Sequence, residues 1–185
     1  MSKIILASSS PRRKELMNLI TSDFIVDASN IDETTPNSME TNEIPEYLAI
    51  IKALETSKKY PDDIVIGADT SVIIDDKILG KPKDKDDAFQ MIKKLSGKTH
   101  LVITGCAIVH KGKVESFSSI TEVEFYNLTD EQITSYISTD EPYDKAGGYA
   151  IQQKGSLFVK SIKGDFYNVV GFPIARLNRR LKKLK

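Results

Sequence analysis

Four short stretches of this chain place charged or hydrogen-bonding side chains where chemistry is possible. The first, Ser8-Ser9-Ser10-Pro11-Arg12-Arg13, sets small hydroxyl residues ahead of two arginines. If a strand feeds a helix there, free backbone N–H groups and the positive end of the helix dipole face an incoming anion. Guanidinium groups match phosphate oxygens, and arginines in a first helical turn oppose the dipole, so helix stability alone does not account for them. The spacing is not that of a glycine-rich P-loop. The plainer alternative is an ordinary capped helix with solvated charges. The second stretch, Gly67-Ala68-Asp69-Thr70, follows the apolar run 64–66. An aspartate at a strand end, flanked by small residues, can hold a divalent cation or activate water for hydrolysis of a phosphoanhydride. It can equally close a turn on its own backbone.

The third candidate is the acidic pair Asp32 and Glu33, with Lys52 and Lys81 further along. Two carboxylates suit a magnesium site, and the lysines can neutralise phosphate charge. Taken singly, each reads more simply as a solvated surface charge. The fourth is Asp144-Lys145-Ala146-Gly147-Gly148-Tyr149-Ala150-Ile151-Gln152. Its paired glycines permit close backbone approach to a ligand, and Gln152 offers both a donor and an acceptor to a base edge. A glycine bend before a strand explains the same residues.

Other polar features read as structural. Cys106 lies in the apolar run 101–109 and reads as a small core residue rather than a nucleophile. His100 and His110 have no partner at metal spacing and read as surface or strand histidines. The basic tail 176–185 carries a leucine stripe, which makes it a packed amphipathic helix with a charged outer face.

The elements that position these residues follow from apolar periodicity. A buried strand at 4–7 runs into a helix with Ser10 as N-cap, Pro11 at its first position and a stripe of Leu16, Leu19 and Ile20. A strand at 24–26, a polar loop at 27–41 and a helix with Tyr47, Leu48, Ile51 and Leu54 on one face come next. Strand 64–66 is followed by a hairpin whose arms, 72–74 and 77–79, flank Asp75-Asp76. Asp84 caps a helix that buries Ala88, Met91, Ile92 and Leu95 and stops at Gly97. Strands 99–109 and 114–125 pair around Lys111-Gly112. Thr129 and Gln132 make a capping box. Short strands at 157–162 and 167–170 precede a last helix from Pro173, with Ile174, Leu177, Leu181 and Leu184 inward. Alternating helices and strands with later hairpins argue for an α/β fold on a mixed sheet. The 185 residues suit one domain, 1–185, and 40% hydrophobic with 28% charged residues is an ordinary globular composition. Basic and acidic residues balance at 26 each, so no net field recruits nucleic acid or an anionic membrane. A single cysteine, no signal peptide and no apolar span of membrane length fit a soluble cytoplasmic protein.

In combination the stretches resemble the Maf family of nucleotide pyrophosphatases. The matching segments are 8–13, 67–70, Gly80-Lys81-Pro82, 95–100 with Thr104, Glu141-Pro142, 144–152 and 168–173, in the family order along nearly the whole chain. The resemblance implies an elongated mixed β-sheet flanked by helices, with two lobes and a deep cleft, of the Maf/ITPase-like kind. It implies cleavage of a nucleoside triphosphate between its α- and β-phosphates with a divalent metal, Mg or Mn, in a homodimer. Asp69 matches the family's catalytic aspartate. Asp32 and Glu33 match its paired acids, joining Asp69 as metal ligands. Ser8, Arg13, Lys52 and Lys81 match substrate-binding positions. Arg12, Thr70 and Gln152 match positions tied to base choice, in the combination of the subgroup acting on dTTP and UTP. Gln153 stands where a glycine usually follows the glutamine, and Phe172 replaces a usual leucine. A non-catalytic nucleotide-binding regulator of septum formation is the alternative; it would have no need of Asp69, Asp32 and Glu33.

The resemblance sets an expectation for base choice. Thymine and uracil share an N3–H donor between two carbonyls, which an amide such as Gln152 can answer. Cytosine reverses two of these three groups, and an unmatched buried group costs ~1–3 kcal/mol, on the order of tenfold to a hundredfold in discrimination. Efficiencies measured over a triphosphate panel are expected to rank dTTP and UTP ahead of CTP and the purines. A preference for GTP or 7-methyl-GTP would contradict this reading of the three residues.

Overall fold

The computed structural model describes residues 2–28, 30–36 and 38–184. Its strands are β1 (Ile4–Ala7), β2 (Ile25–Val26), β3 (Ile64–Ile74), β4 (Lys77–Leu79), β5 (Thr99–His110), β6 (Lys113–Phe125) and β7 (Val159–Lys163). Its helices are α1 (Pro11–Asn18), α2 (Ile44–Ser57), α3 (Lys85–Leu95), α4 (Asp130–Ile137), α5 (Phe166–Val170) and α6 (Ile174–Leu181). The strands form a mixed sheet in the order β2-β1-β3-β5-β6-β7, with β4 also paired to β3. β1 is parallel to β2 and β3, whereas β4 on β3 and β7 on β6 are antiparallel.

Turn and cap chemistry acts where the sequence places it. Asp75 and Asp76 both take positive φ, 50° and 56°, as do Lys111 and Gly112 at 50° and 75°. Two successive left-handed residues match the twist of the strands they join, which is why both hairpins need only two-residue turns. The Asp84 carboxylate accepts from the Asp87 N–H at 2.8 Å, and Thr129 and Gln132 complete their capping box.

Packing divides the chain into two compact units. The first comprises Met1–Asp69, Thr104–Ser119 and Gly171–Lys185. Its core includes Ile5, Ala7, Ala49, Ala53, Val65, Ala107 and Val109, with four alanines from the sheet and α2 among them. The small residues let α2 press onto the sheet. A Cβ on Gly67 of β3 would lie 2.3 Å from the Ala49 carbonyl oxygen, and one on Gly105 of β5 would lie 2.3 Å from the Glu46 nitrogen. In the same unit, Arg176 and Arg180 of α6 stack over the Phe117 ring at 4.5 and 4.6 Å, and Arg180 pairs with Glu115. The basic face of α6 is thus partly used in packing.

The second unit comprises Thr70–Ile103 and Ile120–Val170. Phe125, Tyr136, Tyr149 and Phe158 meet edge-to-face at its centre, beside Ile92, Leu95 and Ile133. Asn168 is fully buried and its amide donates to the Val102 carbonyl and the Thr121 hydroxyl, both at 2.9 Å. His100, 1% exposed, is hydrogen-bonded to the Tyr149 hydroxyl at 2.7 Å. Burial pulls its imidazole down to about 4, so it is neutral at pH 7.

His100 is a strand histidine on β5, and its ring is buried in the Phe125–Tyr149 cluster at 5.0 and 5.5 Å. Several expectations are corrected. α1 ends at Asn18, so Leu19 is its C-cap and 64% exposed, while Met17 is buried instead. Ser10 is the N-cap residue of α1, but its side chain makes no cap bond. The buried face of α2 is Pro45, Leu48, Ala49, Ala53 and Thr56, and Leu54 is exposed. The alanines take the tight contact because larger side chains would not fit against Gly67. Residues 167–170 lie in a short helix, α5, not a strand; the Asp165 carboxylate accepts from the Tyr167 N–H at 2.8 Å and opens it. Leu157 belongs to the 3₁₀ turn Lys154–Phe158 ahead of β7. Among the described residues no helix is long and apolar enough to cross a membrane.

The α2 contact makes a direct prediction. Gly67→Ala would drive a methyl group into backbone, and overpacking of this kind costs about 3 kcal/mol. Nothing lies within 4 Å of a Cβ built on Gly80, so Gly80→Ala serves as the control. Urea unfolding is expected to show a clear fall in midpoint for the first and a shift within ~0.5 kcal/mol for the second. Equal midpoints would refute the steric reading.

Candidate functional site

Asp69 lies inside β3, not at the end of a strand, because the β-branched run continues through Val72, Ile73 and Ile74. Side chains two apart on a strand share a face. Gly67 and Asp69 therefore both face α2, and the lysine beside Ala53 reaches the carboxylate. Lys52 Nζ lies 2.6 Å from Asp69 Oδ1 and 2.9 Å from Glu33 Oε1. The Lys52 and Asp69 side chains are only 16% and 15% exposed, against 56% for Glu33. One ammonium thus gathers two carboxylates at a largely shielded place, where their attraction is screened far less than at an open surface.

A second group forms next to the first by strand register. β1 pairs in parallel with β3, Ala7 opposite Gly67, so Ser8 and Asp69 follow one and two residues beyond that pair. The buried Ser8 hydroxyl accepts from the Ser10 N–H at 3.3 Å and from Arg13 Nη1 at 3.2 Å. Arg13 Nε donates to the Gly171 carbonyl at 2.9 Å. Burial lowers the Arg13 pKa, and the charge of Asp69 works against that shift. An arginine remains protonated in any protein setting, so this is a fixed cation held by two anchors beside the carboxylates. Arg12, next to it on α1, is half-buried.

The other predicted residues fall elsewhere. Asp32 is exposed and turns onto its own loop, its Oδ1 accepting from the Thr34 N–H at 3.0 Å and hydroxyl at 2.5 Å. It does not join Glu33 and Asp69 on Lys52, and among the described residues no three of His, Cys, Asp and Glu converge to hold a metal ion. Glu33 and Asp69 still offer hard oxygen donors, and magnesium often takes only one or two carboxylates alongside phosphate oxygens. In the second unit, Thr70 is half-buried on β3, Lys81 is exposed after β4, and Gln152 is exposed in the turn after Ala150. Cys106 is fully buried, and burial pushes its thiol up to about 12, which leaves it a core residue.

Sequence reasoning missed the Gly171 carbonyl that fixes Arg13. Its only signal was a glycine in the 168–173 segment, where Gly171 takes φ 111°. It also gave no role to Glu141, whose carboxylate collects several donors.

The sequence model of the family described as Maf-like protein matches residues 3–184. The chain belongs to the Maf family. Relatives named dTTP/UTP pyrophosphatase include one from Bacillus cereus, 50% identical over 183 residues that cover 99% of this chain and 96% of that one. Another, from Halalkalibacterium halodurans, is 47% identical over 98% of this chain and 96% of the relative. Among solved structures, a Ham1 protein of Staphylococcus aureus aligns with a TM-score of 0.57 at 16% identity, covering 98% of this chain and 99% of that one. A HAM1 protein of Coxiella burnetii gives 0.54 at 16% identity, over 99% and 100% of the two chains. At such identities these two likenesses establish the fold of this Maf chain and nothing further.

The Lys52 cluster generates a prediction for Asp69→Asn. The amide keeps the size of the side chain and removes its charge, while Lys52 keeps Glu33. Secondary structure by circular dichroism is expected to be retained and turnover of nucleoside triphosphate to fall by at least about a hundredfold, the scale of losing a general base or metal ligand. Near-normal turnover in the folded variant would remove Asp69 from the chemistry.

Proposed function

We propose that this protein hydrolyses dTTP and UTP at the α–β phosphoanhydride, releasing the nucleoside monophosphate and pyrophosphate. The observation that carries the reading is near-50% identity, over almost the full length of both chains, to relatives named dTTP/UTP pyrophosphatase. The grouping of Lys52, Asp69 and Glu33 beside Ser8 and Arg13 supports it, because this is the charge pattern that a metal-bound polyphosphate requires. The whole chain acts as one functional domain, in the cytoplasm, as a homodimer.

Each residue then has a task set by its chemistry. Asp69 and Glu33 would hold a divalent cation, Mg or Mn; once bound, it supplies charge neutralisation at the phosphate oxygens. Asp69 also has the carboxylate oxygen needed to take a proton from water. Lys52 is shared between two carboxylates and can turn to a phosphate oxygen without leaving the cluster. Arg13, fixed by Ser8 and Gly171, supplies a donor already aimed, which costs little reorganisation as charge develops at the α-phosphorus. Ser8 and the N–H groups opening α1 add neutral donors, and Lys81 adds an exposed cation. Arg12, Thr70 and Gln152 read the base, by hydrogen bonds that discriminate better than shape does.

A panel of nucleoside triphosphates with magnesium or manganese, assayed separately for pyrophosphate and orthophosphate, tests the reaction. Pyrophosphate and monophosphate are the expected first products. Orthophosphate with diphosphate would place the cleavage at the wrong bond, and full activity after exhaustive chelation would remove the metal from the mechanism.

A further inference from the structure

Glu141 is half-buried in the 3₁₀ turn Glu141–Asp144 and bonds to nothing that the proposed chemistry uses. Its two carboxylate oxygens accept three hydrogen bonds. Oε1 receives the Tyr136 hydroxyl at 3.0 Å and the Gly155 N–H at 2.9 Å, and Oε2 receives the Lys154 N–H at 3.0 Å. Its main chain is held too, since the buried Lys145 ammonium donates to the Glu141 carbonyl at 2.8 Å while pairing with Asp144. Two of the three carboxylate bonds go to consecutive backbone amides of a segment 13 and 14 residues away in sequence. That is more than a half-exposed glutamate needs for its own satisfaction.

The clamped segment is the one that carries Gln152. It is wound tightly: the Gln153 N–H donates to the Ala150 carbonyl at 3.3 Å, and the Ser156 N–H to the Gln153 carbonyl at 3.0 Å. A Cβ on Gly155 would stand 2.8 Å from the Ala150 oxygen and 2.9 Å from its nitrogen. Gln152 itself is exposed, so its own side chain does not fix its backbone; Ile151 packs on the core just before it, the turn follows it, and Glu141 holds the turn's far end to α4 through Tyr136. Charge-assisted bonds from a carboxylate to backbone N–H groups are roughly twice as strong as neutral ones, which makes this an effective anchor.

We propose that Glu141 is the positioning residue for base selection: it touches no substrate but sets the backbone from which Gln152 meets the pyrimidine. This rests on the reading of Gln152 given above. Removing the clamp frees the Gln152 backbone, so the amide meets the uracil face in a spread of orientations and the advantage over cytosine shrinks. Steady-state pyrophosphate release from UTP and CTP is to be measured for wild type, Glu141→Ala, Glu141→Gln, Gln152→Ala and the Glu141→Ala/Gln152→Ala double variant. The ratio of kcat/KM between the two substrates is insensitive to the fraction of enzyme folded, which cancels.

Glu141→Ala is expected to lower that ratio by roughly tenfold, mainly by raising KM for UTP, the scale of one ill-met hydrogen-bonding group. Glu141→Gln retains one acceptor oxygen and is expected to restore part of the preference. The double variant is expected to match Gln152→Ala alone, since a clamp has nothing to position once the amide is gone. An unchanged ratio in Glu141→Ala, or a further drop in the double variant beyond Gln152→Ala, overturns the proposal while leaving the role of Gln152 standing. A Gln152→Ala variant with the wild-type ratio removes that role, and the proposal with it. Should Glu141→Ala fail to fold, Glu141→Gln decides: a ratio equal to wild type overturns the clamp.

Discussion

The main chain of α2 lies so close to the sheet that Gly67 and Gly105 have no room for a methyl group. Most of the proposed chemistry of the first unit depends on this contact. Ala49 and Ala53 are buried on α2 because only small side chains fit there, and their burial turns Lys52 toward the strand face that bears Asp69. A bulkier helix face would stand off the sheet by several ångströms, and a lysine would then reach solvent before it reached the aspartate. The alanine–glycine seam contributes little apolar area, and the larger side chains of β1 and β3, Ile5 and Val65 among them, supply the burial that holds it closed.

The charges gathered by that contact are arranged to limit the cost of taking them out of water. Lys52 is nearly buried yet meets two carboxylates, and Arg13 has a hydroxyl and a carbonyl as acceptors besides the field of Asp69. An ionised group shielded without such partners would cost several kcal/mol. The exposed member, Glu33, keeps part of the cluster open to solvent and to a ligand. Shielded cations with one exposed acid suit the recognition of a charged substrate, since Arg13 is aimed in advance by its two acceptors.

In the second unit the constraint is polar satisfaction within an aromatic core. Asn168 donates both amide hydrogens to buried acceptors, and Glu141 and Tyr136 satisfy each other at the edge of the same core. His100 stays neutral among Phe125 and Tyr149, and its Nδ1 has no hydrogen-bond partner among the described residues. The Asn168 and Glu141 bonds fix one conformation because each alternative leaves a donor or acceptor unpaired.

The elements and their ends were legible in the sequence, because caps and two-residue turns are local chemistry: Asp84, Thr129 with Gln132, Asp75-Asp76 and Lys111-Gly112 all act where residue type alone puts them. The mixed sheet followed from the pattern of apolar runs, and the ordered motifs identified the family. Periodicity failed where a residue's fate rests on a distant partner. The face of α2 was misread because Gly67 and Gly105, not helical spacing, select which residues are buried. Strand 167–170 proved to be a turn of helix because Asp165 caps it. For the site, the sequence supplied Asp69, Glu33, Lys52 and Arg13 as candidates one at a time. Only the tertiary structure decided that Lys52 joins two of the acids and leaves Asp32 on its own loop, because that choice is made by strand register and helix approach between segments far apart in the chain.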